Sequence, residues 1–168
     1  DIFHAPFRRE VFDVVISLGV LHHTRDPQGA FTALVSHLRP GGHFVLGLYN
    51  RYGRLPTKLR GLAIRALGFG LGRVLDPVVR RDRQGQRRQR SWLRDQYMHP
   101  LEKTHTVDEV LHWFSTAGLD FVNAVPKFVL GEGFAPDEQL FTPGITGSPG
   151  GRILSQCGWA LSHGWEGG

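Results

Sequence analysis

Between residues 11 and 49 apolar and polar positions come in blocks, and each block has the length and edges of a secondary-structure element. Residues 11–18 (VFDVVISL) form a nearly continuous apolar run in which Val14, Val15 and Ile16 are β-branched. Such a run predicts a strand, and its lack of alternation predicts burial on both faces, as in a parallel sheet. Asp26 and Pro27 then supply a helix cap and a first helical residue. Ala30, Phe31, Leu34, Val35 and Leu38 follow at helical spacing on one face. RPGG at residues 39–42 ends that helix and turns the chain, and residues 43–49 (HFVLGLY) read as a second buried strand. Strand, crossover helix and strand with short connections are almost always parallel and right-handed. Such units carry their chemistry on the loops after the carboxyl ends of the strands.

The pattern then changes. Residues 56–75 predict a helix with Leu59, Leu62, Ala63, Ala66 and Leu67 on its buried side, although Gly61, Gly68, Gly70 and Gly72 weaken it. Residues 80–90 (RRDRQGQRRQR) are polar and are expected to be exposed or mobile. Order resumes at Thr106, where Thr106 and Glu109 form a capping box ahead of a helix with the stripe Val107, Val110, Leu111, Phe114 and Ala117. Residues 119–125 read as a short strand and the Gly- and Pro-rich residues 131–151 as loop. Ile153, Leu154, Cys157 and Leu161 predict a last helix.

Composition narrows the picture. An apolar fraction of 40% in 168 residues suits one domain with a core. The single cysteine, Cys157, excludes an intrachain disulfide and is expected to be a small buried apolar side chain. No run approaches the length of a membrane span, and residues 1–10 lack the apolar core of a signal peptide. The net charge of +5 is unevenly placed. Residues 51–94 hold 13 of the 20 Lys and Arg against Asp76 and Asp82, a local charge of +11, which leaves −6 on the rest.

FDVVISLGVLHHTRDP followed by LVSHLRPGGHFVLG resembles the middle of a class I S-adenosylmethionine-dependent methyltransferase of the small-molecule type, with its histidine-bearing loop after the fourth strand and its Pro-Gly-Gly before the fifth. HTVDEVLHWFSTAGL resembles, more loosely, the helix before the sixth strand. The resemblance implies an α/β, Rossmann-like doubly wound fold. It covers the C-terminal part of that fold, with the N-terminal half and the last strand expected to be missing. It also divides the chain: residues 1–50 as the C-terminal half of the cofactor-binding core, 51–105 as a basic insertion or substrate lid, and 106–168 as later helix, strand and loop elements of the same domain. The implied reaction is methyl transfer from S-adenosylmethionine to oxygen, nitrogen or carbon of a small apolar or quinone-like acceptor. This chain by itself is then expected to be inactive.

Asp1 and Ile2 match the site after the family's third strand that meets the adenine. Ser17, Leu18 and Gly19 match the backbone beneath the cofactor. His23 matches the family's pocket-facing histidine and is the candidate catalytic base, since a neutral imidazole suits a hydroxyl or amine acceptor. His22, Tyr49 and Asn50 are candidate acceptor-binding residues. Alternative local roles are a loop hydrogen bond for His23, a turn for Gly19 and a helix cap for Asn50. His99, Glu102 and His105 lack the spacing of a metal cage; a substrate-lid role or plain loop hydrogen bonding is expected in place of a metal. The basic segment 51–94 would contact a membrane surface, as in some quinone-pathway relatives, or form a solvated lid; without interleaved aromatics at residues 80–90, nucleic acid is disfavoured. The expected location is cytoplasmic, with peripheral membrane contact through that segment. The rival reading is a non-catalytic module that binds a membrane or a partner through the same segment.

Overall fold

The computed structural model describes residues 1–68, 70, 75, 76, 79, 86–98, 102–133 and 141–161. It is an α/β arrangement around a parallel pair of strands, β1 (Phe12–Leu18) and β2 (Leu38–Gly47), joined by helix α1 (Pro27–Val35). Asp26 caps α1, its Oδ1 accepting the Gly29 amide at 2.9 Å, with Pro27 in the first turn. One face of the strand pair packs on α1. Leu21, Ala30, Phe31 and Trp113 are buried there, with Ile2, Phe44, Leu46 and Leu48 packed against them. Phe31 is the hub, its ring 5.0 Å from Phe44 and 5.7 Å from Phe114.

The second strand starts earlier than expected. Phe12 pairs with Leu38 but Val14 pairs with His43, so residues 39–42 bulge within β2 instead of turning ahead of it. Glycine makes this possible: Gly41 has φ +78°, and a Cβ at Gly42 would lie 2.8 Å from the Asp13 carbonyl oxygen. Burial on both faces of β1 is not observed. Val14, Ile16 and Leu18 are 49%, 65% and 60% exposed, because α1 covers one face and the described residues leave the other largely open.

Helix α2 (Leu55–Leu67) ends before Gly68, and the expected continuation to residue 75 falls largely outside the described residues. Its buried side is the reverse of the expected one. Gly61 and Ile64 face inward, while Leu59 and Leu62 are 60% and 66% exposed. Gly61 explains the choice, since a Cβ there would stand 3.1 Å from the Tyr97 ring, so only the smallest residue lets helix α3 (Gln86–Met98) approach so closely. Ile64, Val79, Leu93 and Tyr97 form this second cluster. Asp76 ties it together, accepting the Tyr97 hydroxyl at 2.8 Å, the Val79 amide at 2.8 Å and the Trp92 indole N–H at 3.4 Å. Burial, and then Asp76, push the Tyr97 phenol up to about 12. Of residues 86–90, expected to be exposed or mobile, Arg87, Arg88 and Arg90 are exposed, and all five are helical; Leu93 and Tyr97, four apart, give α3 its apolar contact. Residues 80–85 lie outside the described set.

The capping box opens α4 (Val107–Thr116), with Thr106 and Glu109 satisfying each other's backbone amides. Trp113 is its most buried residue; the expected stripe is half-buried, with Phe114 and Ala117 packed against the core. Residues 119–125 do not form a strand. The Leu119 amide closes the helix on Phe114, and the Phe121 carbonyl receives one bond, from Gly144 at 3.3 Å, which is no ladder. Helix α5 (Pro149–Leu161) takes in the last residues of the expected loop 131–151, of which 134–140 are outside the described set. Ile153, Leu154, Cys157 and Leu161 are exposed, against expectation, because α5 docks through the fully buried Gln156.

Candidate functional site

Both strands deliver their carboxyl ends to one place. β1 leads into Gly19, whose amide donates to the Gly47 carbonyl at 3.1 Å, and then into the tight turn Leu21–His23. β2 leads into Tyr49 and Asn50. Gly19 has φ +70° and would meet nothing within 4 Å of a Cβ, so the backbone here is left-handed and open on one side. The rings of His22 and Tyr49 stack at 4.0 Å and 34°, and His23 stands 4.1 Å from His22 and edge-on to Tyr49 at 6.2 Å. Three of the four candidates for the acceptor side thus form one aromatic group.

Asn50 is the fourth, and its side chain is fully used. Its Oδ1 accepts the amides of Tyr52 and Gly53 at 2.9 Å, and its Nδ2 donates to Gln156 Oε1 at 2.8 Å. Gln156 Oε1 also accepts the Val107 amide at 2.9 Å, so Asn50 joins the end of β2 to α4 and α5.

His22 is completely buried, and neither ring nitrogen has a hydrogen-bond partner among the described residues. Burial, helped by neighbouring His23, lowers its pKa to about 4, so it is neutral at pH 7. His105 behaves alike: burial outweighs Glu109 and lowers it, and its Nε2 is also buried without a partner. A strap at residues 102–105 runs over the group. The Lys103 amide donates to the His22 carbonyl at 2.9 Å, the His105 amide to the Tyr49 carbonyl at 2.9 Å, and the Arg51 amide to the His105 carbonyl at 2.9 Å.

Beneath the strap lies an ion pair that the sequence did not announce. Arg54 Nε and Nη2 donate to Glu102 Oε1 and Oε2 at 3.1 and 2.9 Å, and Gln96 Oε1 accepts from both Nη1 and Nη2 at 3.1 Å. The Arg54 carbon lies 4.1 Å from the centre of the Tyr49 ring. Burial alone would raise Glu102, but the hydrogen bonds and charge of Arg54 outweigh it and hold the carboxyl below the usual range. The sequence singles out Glu102 with His99 and His105, but nothing in it names the partner, because Arg54 is one of 13 cations in the basic segment 51–94.

The cofactor-side candidates divide. Ser17 is buried at the end of β1, Leu18 projects from the open sheet face, and Gly19 offers bare backbone. This stretch fits a group lying across the strand end. Asp1 is committed locally, its Oδ1 accepting the Phe3 amide at 2.8 Å and its Oδ2 facing the His4 ring at 3.1 Å, while Ile2 packs into the core. Among the described residues no three His, Cys, Asp or Glu side chains could hold a metal ion; His99 lies outside that set.

Residues 1–46 match the family model described as methyltransferase domain. The chain is also 28% identical over 131 residues to an uncharacterized protein of Synechococcus sp., covering 66% of this chain and 31% of that protein. The chain thus spans about a third of the length of that relative. The matched residues contain the β1–α1 unit, the Leu21–His23 turn and most of β2, the elements that converge on Gly19 and the histidines. Residues 1–46 are therefore part of a methyltransferase domain of the class I S-adenosylmethionine-dependent type.

Proposed function

We propose that the protein transfers a methyl group from S-adenosylmethionine to a small-molecule acceptor, and that this chain furnishes the acceptor side. The observation that supports this most is the junction of His22, His23 and Tyr49 at the carboxyl ends of β1 and β2, inside and beside the segment that matches the methyltransferase domain. Ser17, Leu18 and Gly19 would underlie the cofactor, with Ile2 nearby; Asp1 would have to leave its cap on Phe3 to reach it. The cofactor supplies a methyl group already activated on a sulfonium. The protein's task is then to align the acceptor and take its proton.

His23 is the residue proposed for the proton. It is only half-buried, whereas His22 is sealed beneath the strap. An imidazole nitrogen of His23 would accept the proton of a hydroxyl or amine as the acceptor atom bonds to the methyl carbon. Tyr49 would offer a flat apolar surface to the acceptor, and Asn50 would hold the loop that carries Tyr49. The test is methyl transfer by the full-length protein with labelled S-adenosylmethionine and a panel of small phenols, alcohols and amines, comparing the native sequence with His23→Ala. Loss of transfer with S-adenosylhomocysteine binding retained supports the assignment; equal transfer removes it.

A second reading concerns the partner of the basic segment. Leu55, Leu59 and Leu62 lie on the side of α2 opposite Gly61 and Ile64, all at least half exposed. An exposed apolar row on a segment of local charge +11 suits the interface of an anionic membrane. Co-sedimentation with anionic vesicles at low salt, lost in Leu59→Ser/Leu62→Ser, would support it; no sedimentation of the native protein would remove it. Among the described residues no helix is long and apolar enough to cross a membrane.

A further inference from the structure

Arg54 precedes α2 and Glu102 follows α3, so the two ends of the basic insertion meet in a single ion pair. The Arg54 side chain is 4% exposed. Four of its five N–H donors are engaged by Glu102 and Gln96, which leaves it little capacity to receive an anionic ligand. What remains is the flat face of the guanidinium, and that face is set against Tyr49. The Tyr49 ring packs on His22 at 34°, and His22 meets His23 at a steeper 56°. Neither ring nitrogen of His22 has a hydrogen-bond partner among the described residues, and its ring packs between Tyr49 at 4.0 Å and His23 at 4.1 Å. A continuous series of contacts therefore runs from a buried charge pair to the histidine proposed to take the proton.

We infer that Arg54 and Glu102 are positioning residues for His23, acting through the rings of Tyr49 and His22. The inference rests on the role proposed for His23. A bidentate Arg–carboxylate pair fixes the plane of the guanidinium. That plane limits how far Tyr49 can tip, and the Tyr49 ring limits His22. A proton acceptor must be held to a fraction of an ångström to be effective, and a displacement of about 1 Å can cost roughly 100-fold in rate. The insertion thus does more than cover the site: its closing contact sets the geometry of a residue that belongs to another element.

The experiment is NMR of the aromatic and imidazole signals of this chain, with the native sequence compared with Glu102→Gln and Arg54→Lys. In Glu102→Gln the Tyr49–His22 ring NOE is lost and the His23 ring signals move, while the Phe31–Phe44 NOE in the other cluster stays. Arg54→Lys keeps a cation over Tyr49 without the fork, and retains the NOE with a smaller movement of His23. Unchanged Tyr49–His22 and His23 signals in folded Glu102→Gln overturn the inference. Should Glu102→Gln not fold, Arg54→Lys, which breaks the fork but keeps the charge, decides by the same His23 signals: movement supports, none overturns. In the full-length protein Glu102→Gln lowers kcat roughly 10- to 100-fold with little change in acceptor KM. The two proposals fail separately, because equal turnover by His23→Ala removes the role of His23, whereas the ring signals report the positioning contacts without any turnover.

Discussion

Arg54 and Glu102 form a bidentate pair at 2.9 and 3.1 Å although 48 positions separate them, and the pair joins the start of α2 to the residues after α3 against the Tyr49 ring. Removing one partner strands the other charge in a largely dry site, which typically costs about 3–5 kcal/mol. Glu102 keeps some contact with solvent, so Glu102→Gln is expected near the lower end. Replacing both by apolar residues, Arg54→Met with Glu102→Leu, is expected to cost much less than either single change. Urea unfolding of the three variants checks this, and additive losses would show that the two charges do not depend on each other.

His22 carries a pH dependence whose sign follows from its burial. Its pKa is about 4 in the folded protein against 6.5 ordinarily, so below pH 6.5 the unfolded chain takes up the proton first. The stabilisation is complete above pH 6.5 and is lost as pH falls towards about 4, by roughly 3 kcal/mol for this group alone. His22→Phe keeps a ring against Tyr49 without a titrating nitrogen. It should flatten the stability profile over that window when midpoints of urea unfolding are compared at pH 7 and pH 4.5.

The strand–helix–strand unit was legible because its signals are local: an apolar block, the Asp26–Pro27 cap and a stripe, whereas the glycines read as a turn proved to be a bulge within β2. The Thr106–Glu109 box was legible for the same reason. What sequence could not place are contacts that only the fold creates. Asn50 finds Gln156 at a separation of 106 residues, and no periodicity marks a buried glutamine on a helix whose leucines face outward. Leu59 and Leu62 obey helical spacing, yet Gly61 lets Tyr97 take the opposite side. The candidate acceptor residues His22, His23 and Tyr49 were read from their places after strands, and they do come together. Arg54 was hidden within a charge count.

Gln156 joins three elements through one carboxamide, so Gln156→Ala takes the acceptor from the Val107 amide and leaves Asn50 Nδ2 only its longer bond to the His105 carbonyl, at 3.4 Å. Each such loss costs about 1–3 kcal/mol when the group stays buried. Hydrogen exchange should show α5 and the start of α4 opening faster, with β1 and β2 amides unchanged. Equal exchange throughout would mean that α5 is held by something other than this network.

Gly42→Ala tests the bulge in β2. A Cβ there would stand 2.8 Å from both the Asp13 carbonyl oxygen and a Leu38 methyl, so the strands must part locally. The expected loss is about 1–3 kcal/mol, typical of overpacking. The amides of Val11 and Phe12, which bond the His37 carbonyl, should lose protection first.

The most direct measurement is the rate of methyl transfer from labelled S-adenosylmethionine by the full-length protein, native against His23→Ala, at saturating cofactor. A proton acceptor in contact with the acceptor substrate predicts a fall in kcat of about 100- to 10,000-fold, with affinity for S-adenosylhomocysteine preserved. Transfer at the native rate by His23→Ala would contradict the account.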